Sequence, residues 1–463
     1  MRNMAGLAVM IGATLVAGCN SNNDSSTPEP SAKNVIFFLG DGMGLNTLTA
    51  ARIYGVGEEG SLTIDTLPET AFIKTFSHDA QVTDSAPSMA AYMTGVKSNN
   101  GVISMDSDAT YESDCSQSAG KPVTTLLELA KADGRGTGVV TSTRVTHATP
   151  AATYAHICNR DLENDIAAQL VPGGAGYNGA LKEGLDVVLG GGSSFFLPTA
   201  DKGKREDGRN LISEMQAKGY QFASNLDELN KADASKPLLG LFGSSHMKYD
   251  LDRPASEPSL AQMTLAAIKQ LKDKEKGYFL MVEGGRIDHA LHDTNAKRAL
   301  QDTLAFDDAI KASIDEVKKT DPELKNTLIV VTADHDHTLV LNGYAKRTGK
   351  TTAGNPGVLG LVKNYETGEP SKDSDGMPYT IIGFGNGYNR VDGPRSSVAP
   401  LDDATVSADD YHQEVVVKVG EIGNETHGGT DVFLGAIGQG ADSFHGSLDN
   451  TAVFGKVKAA AKL

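Results

Sequence analysis

Residues 35–42 read VIFFLGDG. The apolar run Val35–Leu39 shows no alternation, so a strand made of it is buried on both faces. Such a strand belongs in the middle of a parallel sheet. Asp41 follows directly, between two glycines that let the chain turn tightly. The same design recurs twice. YFLMVEGG at 278–285 places Glu283 just past an apolar run, and TLIVVTADHDH at 327–337 does so for Asp334 and His335. Shorter runs of this kind are Gly138–Thr141 and Asp186–Leu189, and strands resume at Val415–Val419 and Asp431–Ala436. Helical patterns lie between them. Leu260, Met263, Ala267 and Leu271 recur at helical spacing, as do Leu300, Leu304, Ala309, Ile310, Ile314 and Val317. Strands alternating with helices predict an α/β fold: a large, mainly parallel central sheet flanked by helices on both faces.

A chain of 463 residues is long enough for one large α/β enzyme. Hydrophobic residues at 39% and charged residues at 22% exclude a polytopic membrane protein and a disordered chain. A formal charge of −17 argues against a nucleic-acid partner, whose binding face would be basic. Residues 343–378 and 386–410 are rich in Gly, Asp, Ser, Pro and Lys, with weak periodicity. They read as a surface insertion at about 343–410, interrupted by the strand-like Tyr379–Phe384. No two-domain boundary stands out, so residues 34–463 read as one domain.

The N-terminus is a separate matter. Arg2 precedes an apolar segment, Met4–Ala17, that is too short for a typical spanning helix and ends in Val16-Ala17-Gly18-Cys19. It resembles a bacterial lipoprotein signal of residues 1–18, with Cys19 as the lipidated new N-terminus; an ordinary signal peptide with a chance Cys is the plainer alternative. Residues 19–33 (CNSNNDSSTPEPSAK) are a polar, Pro/Ser-rich tether. The expectation is an exported bacterial lipoprotein, periplasmic or at the cell surface, held to a membrane by its lipid. Cys115 and Cys158 then remain. In an oxidising compartment such a pair can form one disulfide or stay as two buried thiols, and sequence does not bring them together.

The chemistry lies at the strand ends. Ligands bind outside the carboxyl ends of the strands in open α/β sheets. Asp41, Glu283 and Asp334, each at such an end, should converge, and bound cations would relieve their repulsion. Asp288 and His292 in RIDHALH are four apart and share a helix face. His427 sits in ETHGG, where glycines permit close approach. Histidine with carboxylate suits zinc, and an all-oxygen set suits magnesium. Ser85 in VTDSAPSMAAYMTG precedes Pro87 at the start of a helix. Its hydroxyl there is a nucleophile candidate beside a cation; Asp84 or Ser85 acting only as a helix cap is the plainer alternative.

In chain order, GDGMG, TDSAPSMAAYMTGVK, HATPAATYAHICNR, VEGGRIDHALH, TADHDH and ETHGGTDVF resemble the motifs of the alkaline phosphatases. The likeness runs from about Lys33 to beyond His445. It implies hydrolysis of small phosphate monoesters through a phosphoserine at Ser85. It also implies two zinc ions, one held by Asp288, His292 and His427 and the other by Asp41, Asp334 and His335. A third metal, usually magnesium, would take Asp41, Thr149 and Glu283. Arg160 would hold two phosphate oxygens, as its planar guanidinium suits. His147 and His289, assigned to substrate binding, stand where the familiar enterobacterial type has Asp and Lys; the His pair resembles animal and some marine bacterial members. A homodimer is also implied. Other histidines, including His246, read as structural or surface residues, while His337 and His445 lie near motifs. Sulfatases share the expected sheet and metal cluster, but Met89 stands where their pattern carries Arg. Diesterases of the superfamily commonly use Thr and lack the Arg160 motif. A non-catalytic phosphate- or metal-binding lipoprotein would have no need for Ser85 beside a full metal set.

Overall fold

The computed structural model describes residues 31–463. Cys19, the signal segment 1–18 and the tether up to residue 30 lie outside the described residues. The strands are, in chain order, β1 (Asn34–Gly40), β2 (Glu69–Lys74), β3 (Gly136–Arg144), β4 (Val187–Gly191), β5 (Gln221–Ala223), β6 (Leu238–Leu241), β7 (Tyr278–Gly284) and β8 (Thr327–Ala333). They continue with β9 (Asp336–His337), β10 (Leu339–Leu341), β11 (Ile382–Gly387), β12 (Val415–Lys418), β13 (His427–Gly428), β14 (Val432–Gly438) and β15 (Gly446–Asp449). Ten of them form one sheet in the order β15-β2-β14-β8-β1-β7-β3-β4-β6-β5. β14 runs antiparallel to β8 and β2, and the other neighbouring pairs are parallel. The fold is the expected α/β arrangement on a mostly parallel sheet.

The unbroken apolar runs are the central strands, as their composition requires. β7 and β8 are buried at every position and β1 at all but Asn34. Phe37 packs on Tyr92 at 5.7 Å between ring centroids, and Phe38 meets Phe306 edge-on at 5.9 Å. Each such ring contributes about 1.5–3 kcal/mol by leaving water. The helix Leu260–Leu271 starts in a capping box made by Ser259 and Gln262, and the helix Ala296–Lys318 is capped by Asn295. These two helices pack on each other and on the central strands.

Register then fixes where the chemistry sits. Leu39 pairs with Glu283 of β7 and Thr332 of β8, Gly40 pairs with Gly284 and Ala333, and Glu283 pairs with Thr141 of β3. The carboxyl ends of β8, β1 and β7 therefore lie level and side by side, neighbours about 5 Å apart, with Thr141 of β3 beside Glu283. The packed chain begins slightly before Asn34. Ala32 is buried, and its N–H donates to the Ala460 carbonyl at 2.8 Å. Within 343–410, β11 is the one strand of length, pairing with β10 and β12, and the rest is short helical turns and isolated bridges. Among the described residues, no helix is long and apolar enough to cross a membrane.

Candidate metal centre and active site

Asp41 directly follows β1, Asp334 directly follows β8, and Glu283 is the last residue but one of β7. All three are fully buried. Glu283 accepts from Thr141 and, at 3.0 Å, from the Thr143 hydroxyl, yet its Oε1 has no hydrogen-bond partner. One Asp334 oxygen accepts from the N–H groups of Gly42 and His335 at 3.0 Å each, while its Oδ2 is unpartnered. Thr149 donates to Asp41 Oδ2 at 3.4 Å. Burial, with the nearby Asp288 carboxylate, pushes Asp41 up to about 7. Burial and Asp41 push Asp334 up to about 8, and the same two causes hold Glu283 well above the carboxylate range. Acids this close and this dry call for cations.

The imidazoles are oriented to meet that need. Asp288 and His292 occupy one short helix, Arg286–His292, with His292 Nε2 3.3 Å from Asp288 Oδ1. His292 Nδ1 faces the Glu425 carbonyl, His427 Nδ1 faces the Thr83 carbonyl at 2.8 Å, and His335 Nδ1 faces the Asp336 carbonyl at 3.2 Å. A ring that donates from Nδ1 presents a lone pair at Nε2. His427 Nε2 and His292 Nε2 then face each other at 3.2 Å, and His335 Nε2 lies 3.3 Å from Asp41 and 3.5 Å from Asp334. Two lone pairs, or a lone pair and a carboxylate, repel at such distances; a cation between them removes the conflict. The donor set therefore fits divalent metals of the zinc type at Asp288/His292/His427 and Asp41/Asp334/His335. Asp41, Thr149 and Glu283 offer oxygen only, which suits a harder ion.

His337 belongs to this centre, and its proximity was only hinted at by the TADHDH motif. Its Nε2 is 2.8 Å from Asp288 Oδ1, and its Nδ1 is 2.5 Å from Glu425 Oε2. Held between two carboxylates, it stays protonated well above the ordinary histidine range despite burial. Although burial alone would raise Asp288, His292 and His337 hold it well below the usual carboxylate range.

Ser85 opens the wholly buried helix Ser85–Thr94. Its Oγ lies 3.4 Å from Asp41 Oδ1 and 3.2 Å from His335 Nε2. Asp84 does cap the helix, accepting from the Ala86 N–H at 2.7 Å. The capping role thus falls to Asp84 and leaves the serine hydroxyl facing Asp41 and His335. Arg160 reaches the same helix end, with Nη1 3.3 Å from Asp84 Oδ1 and Nη2 3.1 Å from His147 Nε2. A ligating atom of His147 lies within 4.8 Å of those of Asp41 and Glu283. His147 and His289 rings are 5.4 Å apart, and His246, read from sequence as a structural or surface residue, packs on His289 at 4.1 Å. Burial lowers all three, with His289 down at about 3. The structure also pairs Cys115 with Cys158 as a disulfide. His445 is exposed and makes none of these contacts.

The family model of the alkaline phosphatases matches residues 32–463. The chain belongs to this family. It is 39% identical to the membrane-bound alkaline phosphatase of Bombyx mori, over 91% of this chain and 78% of that one. It is 38% identical to the alkaline phosphatase of Gadus morhua, over 90% of this chain and 88% of the relative. Among solved structures, the Thermus thermophilus alkaline phosphatase superposes with a TM-score of 0.67 at 26% identity, covering 97% of this chain and 96% of that chain. The cold-active enzyme of Shewanella sp. gives 0.65 at 25%, covering 92% and 99%. As a family member the chain is a metal-dependent phosphomonoesterase: a hydrolase that splits phosphate monoesters into alcohol and inorganic phosphate.

Proposed function

We propose that this phosphomonoesterase works through a covalent phosphoserine at Ser85, with two zinc ions and one magnesium. The observation that carries the reading is Ser85 Oγ, buried at a helix N-terminus and within 3.4 Å of both Asp41 and His335. Asp288, His292 and His427 would hold one zinc; Asp41, Asp334 and His335 the other; Asp41, Thr149 and Glu283 the magnesium. When bound, these ions supply Lewis acidity, which lowers the pKa of a serine hydroxyl and offsets charge on the phosphoryl oxygens.

The chain's residues do the rest. Ser85 Oγ gives up its proton and attacks phosphorus, the ester oxygen leaves as alcohol, and phosphoserine forms. Water then attacks the same phosphorus and frees Ser85, so two in-line displacements give net retention. Arg160 grips two phosphoryl oxygens. His147, in contact with its guanidinium, and His289 line the phosphate side and leave the zinc ligands alone. The test is phosphate release from a simple aryl monoester by purified protein, with and without chelator, beside metal analysis. Zinc-dependent monoesterase activity with little turnover of diesters or sulfate esters supports the assignment. Preference for diesters or sulfate esters, or full activity without zinc, overturns it.

The setting follows from the same reading. The catalytic domain spans 34–463 with its insertion at 343–410, exported as a lipoprotein anchored through Cys19 and working as a homodimer in the periplasm or at the surface of a bacterium. The Cys115–Cys158 disulfide supports an oxidising compartment. Mass spectrometry showing an unmodified mature N-terminus would count against the anchor, and a monomer in solution against the dimer.

A further inference from the structure

Residues 106–121 form a loop whose ends are fastened together. The Asp106 N–H donates to the Lys121 carbonyl at 2.9 Å, and the Lys121 N–H to Asp106 Oδ1 at 3.1 Å. The loop contains no helix or strand, and Tyr111, Ser113, Asp114, Ser116 and Gln117 are exposed. Its attachments fall on the segment that carries Arg160. Cys115 is bonded to Cys158. The Glu112 carbonyl accepts from Asn159 Nδ2 at 2.8 Å. The Tyr111 hydroxyl donates to Asp161 Oδ2 at 2.6 Å. Positions 158, 159 and 161 are thus tied to the loop, and Arg160 lies between them.

Arg160 has a further link to the same loop. Its N–H donates to the Gly101 carbonyl at 2.9 Å. Gly101 has φ +80°, and a Cβ there would lie 2.3 Å from the Tyr111 ring, so the ring rests directly on this glycine. The Gly101 N–H donates to Asp84 Oδ2 at 2.5 Å, and the other Asp84 oxygen faces the Arg160 guanidinium. Loop, Gly101, Asp84 and Arg160 form one connected unit beside Ser85.

We propose that this disulfide-tied strap is a positioning device for Arg160, and that Cys115, Cys158 and Tyr111 set the enzyme's affinity for the phosphoryl group through that arginine. The inference rests on Arg160 being the phosphate clamp. A long, flexible side chain makes two parallel hydrogen bonds to phosphate only where its backbone is held in one place. Surface hydrogen bonds alone hold an exposed loop weakly, and the covalent link keeps the 158–161 segment in register with Ser85.

The experiment uses the full, metal-loaded chain and inorganic phosphate as a competitive inhibitor. Compared are wild type, Cys115→Ser/Cys158→Ser, Tyr111→Phe, Arg160→Ala, and each strap change combined with Arg160→Ala. The double serine variant should raise Ki for phosphate roughly tenfold, within what an ångström of misplacement can cost. Tyr111→Phe, which keeps the disulfide, should raise it by about threefold. In both, kcat should change by less than about threefold and zinc content should stay the same, a split that general loosening of the fold would not give. Neither change should weaken phosphate further once Arg160 is Ala. Unchanged Ki in Tyr111→Phe and in the double serine variant overturns the strap's role, and where the double serine variant does not fold an unchanged Ki in Tyr111→Phe alone does so; an equal effect in the Arg160→Ala background overturns it too. If Arg160→Ala itself leaves Ki unchanged, the phosphate-clamp assignment has failed instead.

Discussion

Stripped of metal, the chain should lose stability as pH rises from about 6.5 to about 8. Asp41 is held up at about 7 by burial and the Asp288 carboxylate, and Asp334 at about 8 by burial and Asp41, against an ordinary value of 3.8. A carboxyl raised in the folded state keeps its proton there longer than in the unfolded chain. Unfolding then releases a proton, so stability falls as pH rises between the two values. Histidines push the other way at lower pH. His147, His289 and His427 are lowered below 6.5, chiefly by burial, so unfolding takes up protons on them until about pH 6.5 and not above. His337, raised by its carboxylate partners, adds to the loss above that point. Asp302, buried away from the metal ligands, also sits at about 8.

Between pH 6.5 and 8 the loss is about 1 kcal/mol from Asp41 and about 2 kcal/mol each from Asp334 and Asp302. The sum corresponds to a fall of roughly 5–10 °C in Tm at about 1–2 °C per kcal/mol for a chain of this size. Metal binding requires deprotonated ligands, so reloading zinc and magnesium should abolish the share of Asp41 and Asp334 and leave that of Asp302. The assay is thermal unfolding of chelator-treated protein at half-unit pH steps, with and without metals, in wild type and Asp302→Asn. A flat metal-free profile above pH 6.5, or the same slope with and without metals, would refute the electrostatic account of the centre.

Other expectations concern single sites. Arg160→Ala should weaken phosphate binding by about 2–5 kcal/mol, roughly 30-fold to several-thousand-fold, with zinc content unchanged by metal analysis. The double change His147→Asp/His289→Lys should tighten magnesium and phosphate together, by placing negative charge near the third metal and positive charge near the phosphate; where phosphate release limits turnover, kcat drops. Loss of zinc with unchanged magnesium and phosphate affinities would make these histidines zinc-site supports. Gly44→Ala should destabilise by about 1–3 kcal/mol or more in denaturant unfolding, because its Cβ would lie 1.5 Å from the Asp336 carboxylate that anchors Thr430 and the His337 N–H.

The parts of the fold that could be read from sequence were those decided by local pattern. β1, β7 and β8 are unbroken apolar runs, and the acids at their ends converge because parallel strands in register end level. β2, β5 and β15 carry no such run, and in β6 it is only the four residues Leu238–Leu241. Six residues or fewer, they take their state from neighbours already in the sheet. Asp288 and His292 follow from helical spacing alone. Glu425 does not: it reaches His337 only because β13 pairs with β9, setting His427 opposite His337. His246 arrives on a loop folded over Gly192, whose N–H donates to the Gly243 and Ser245 carbonyls, and no periodicity announces it. The sequence separation of 43 between Cys115 and Cys158 likewise says nothing about their proximity.

On the proposed mechanism Ser85 becomes phosphorylated during turnover. The most direct measurement is acid quench of the metal-loaded enzyme with radiolabelled phosphate or monoester, followed by peptide mapping. Label should appear on the peptide containing Ser85, stable in acid and lost in alkali, with none in Ser85→Ala. Label on any other residue, or inversion of configuration at a chiral phosphorus in the wild-type reaction, would contradict it.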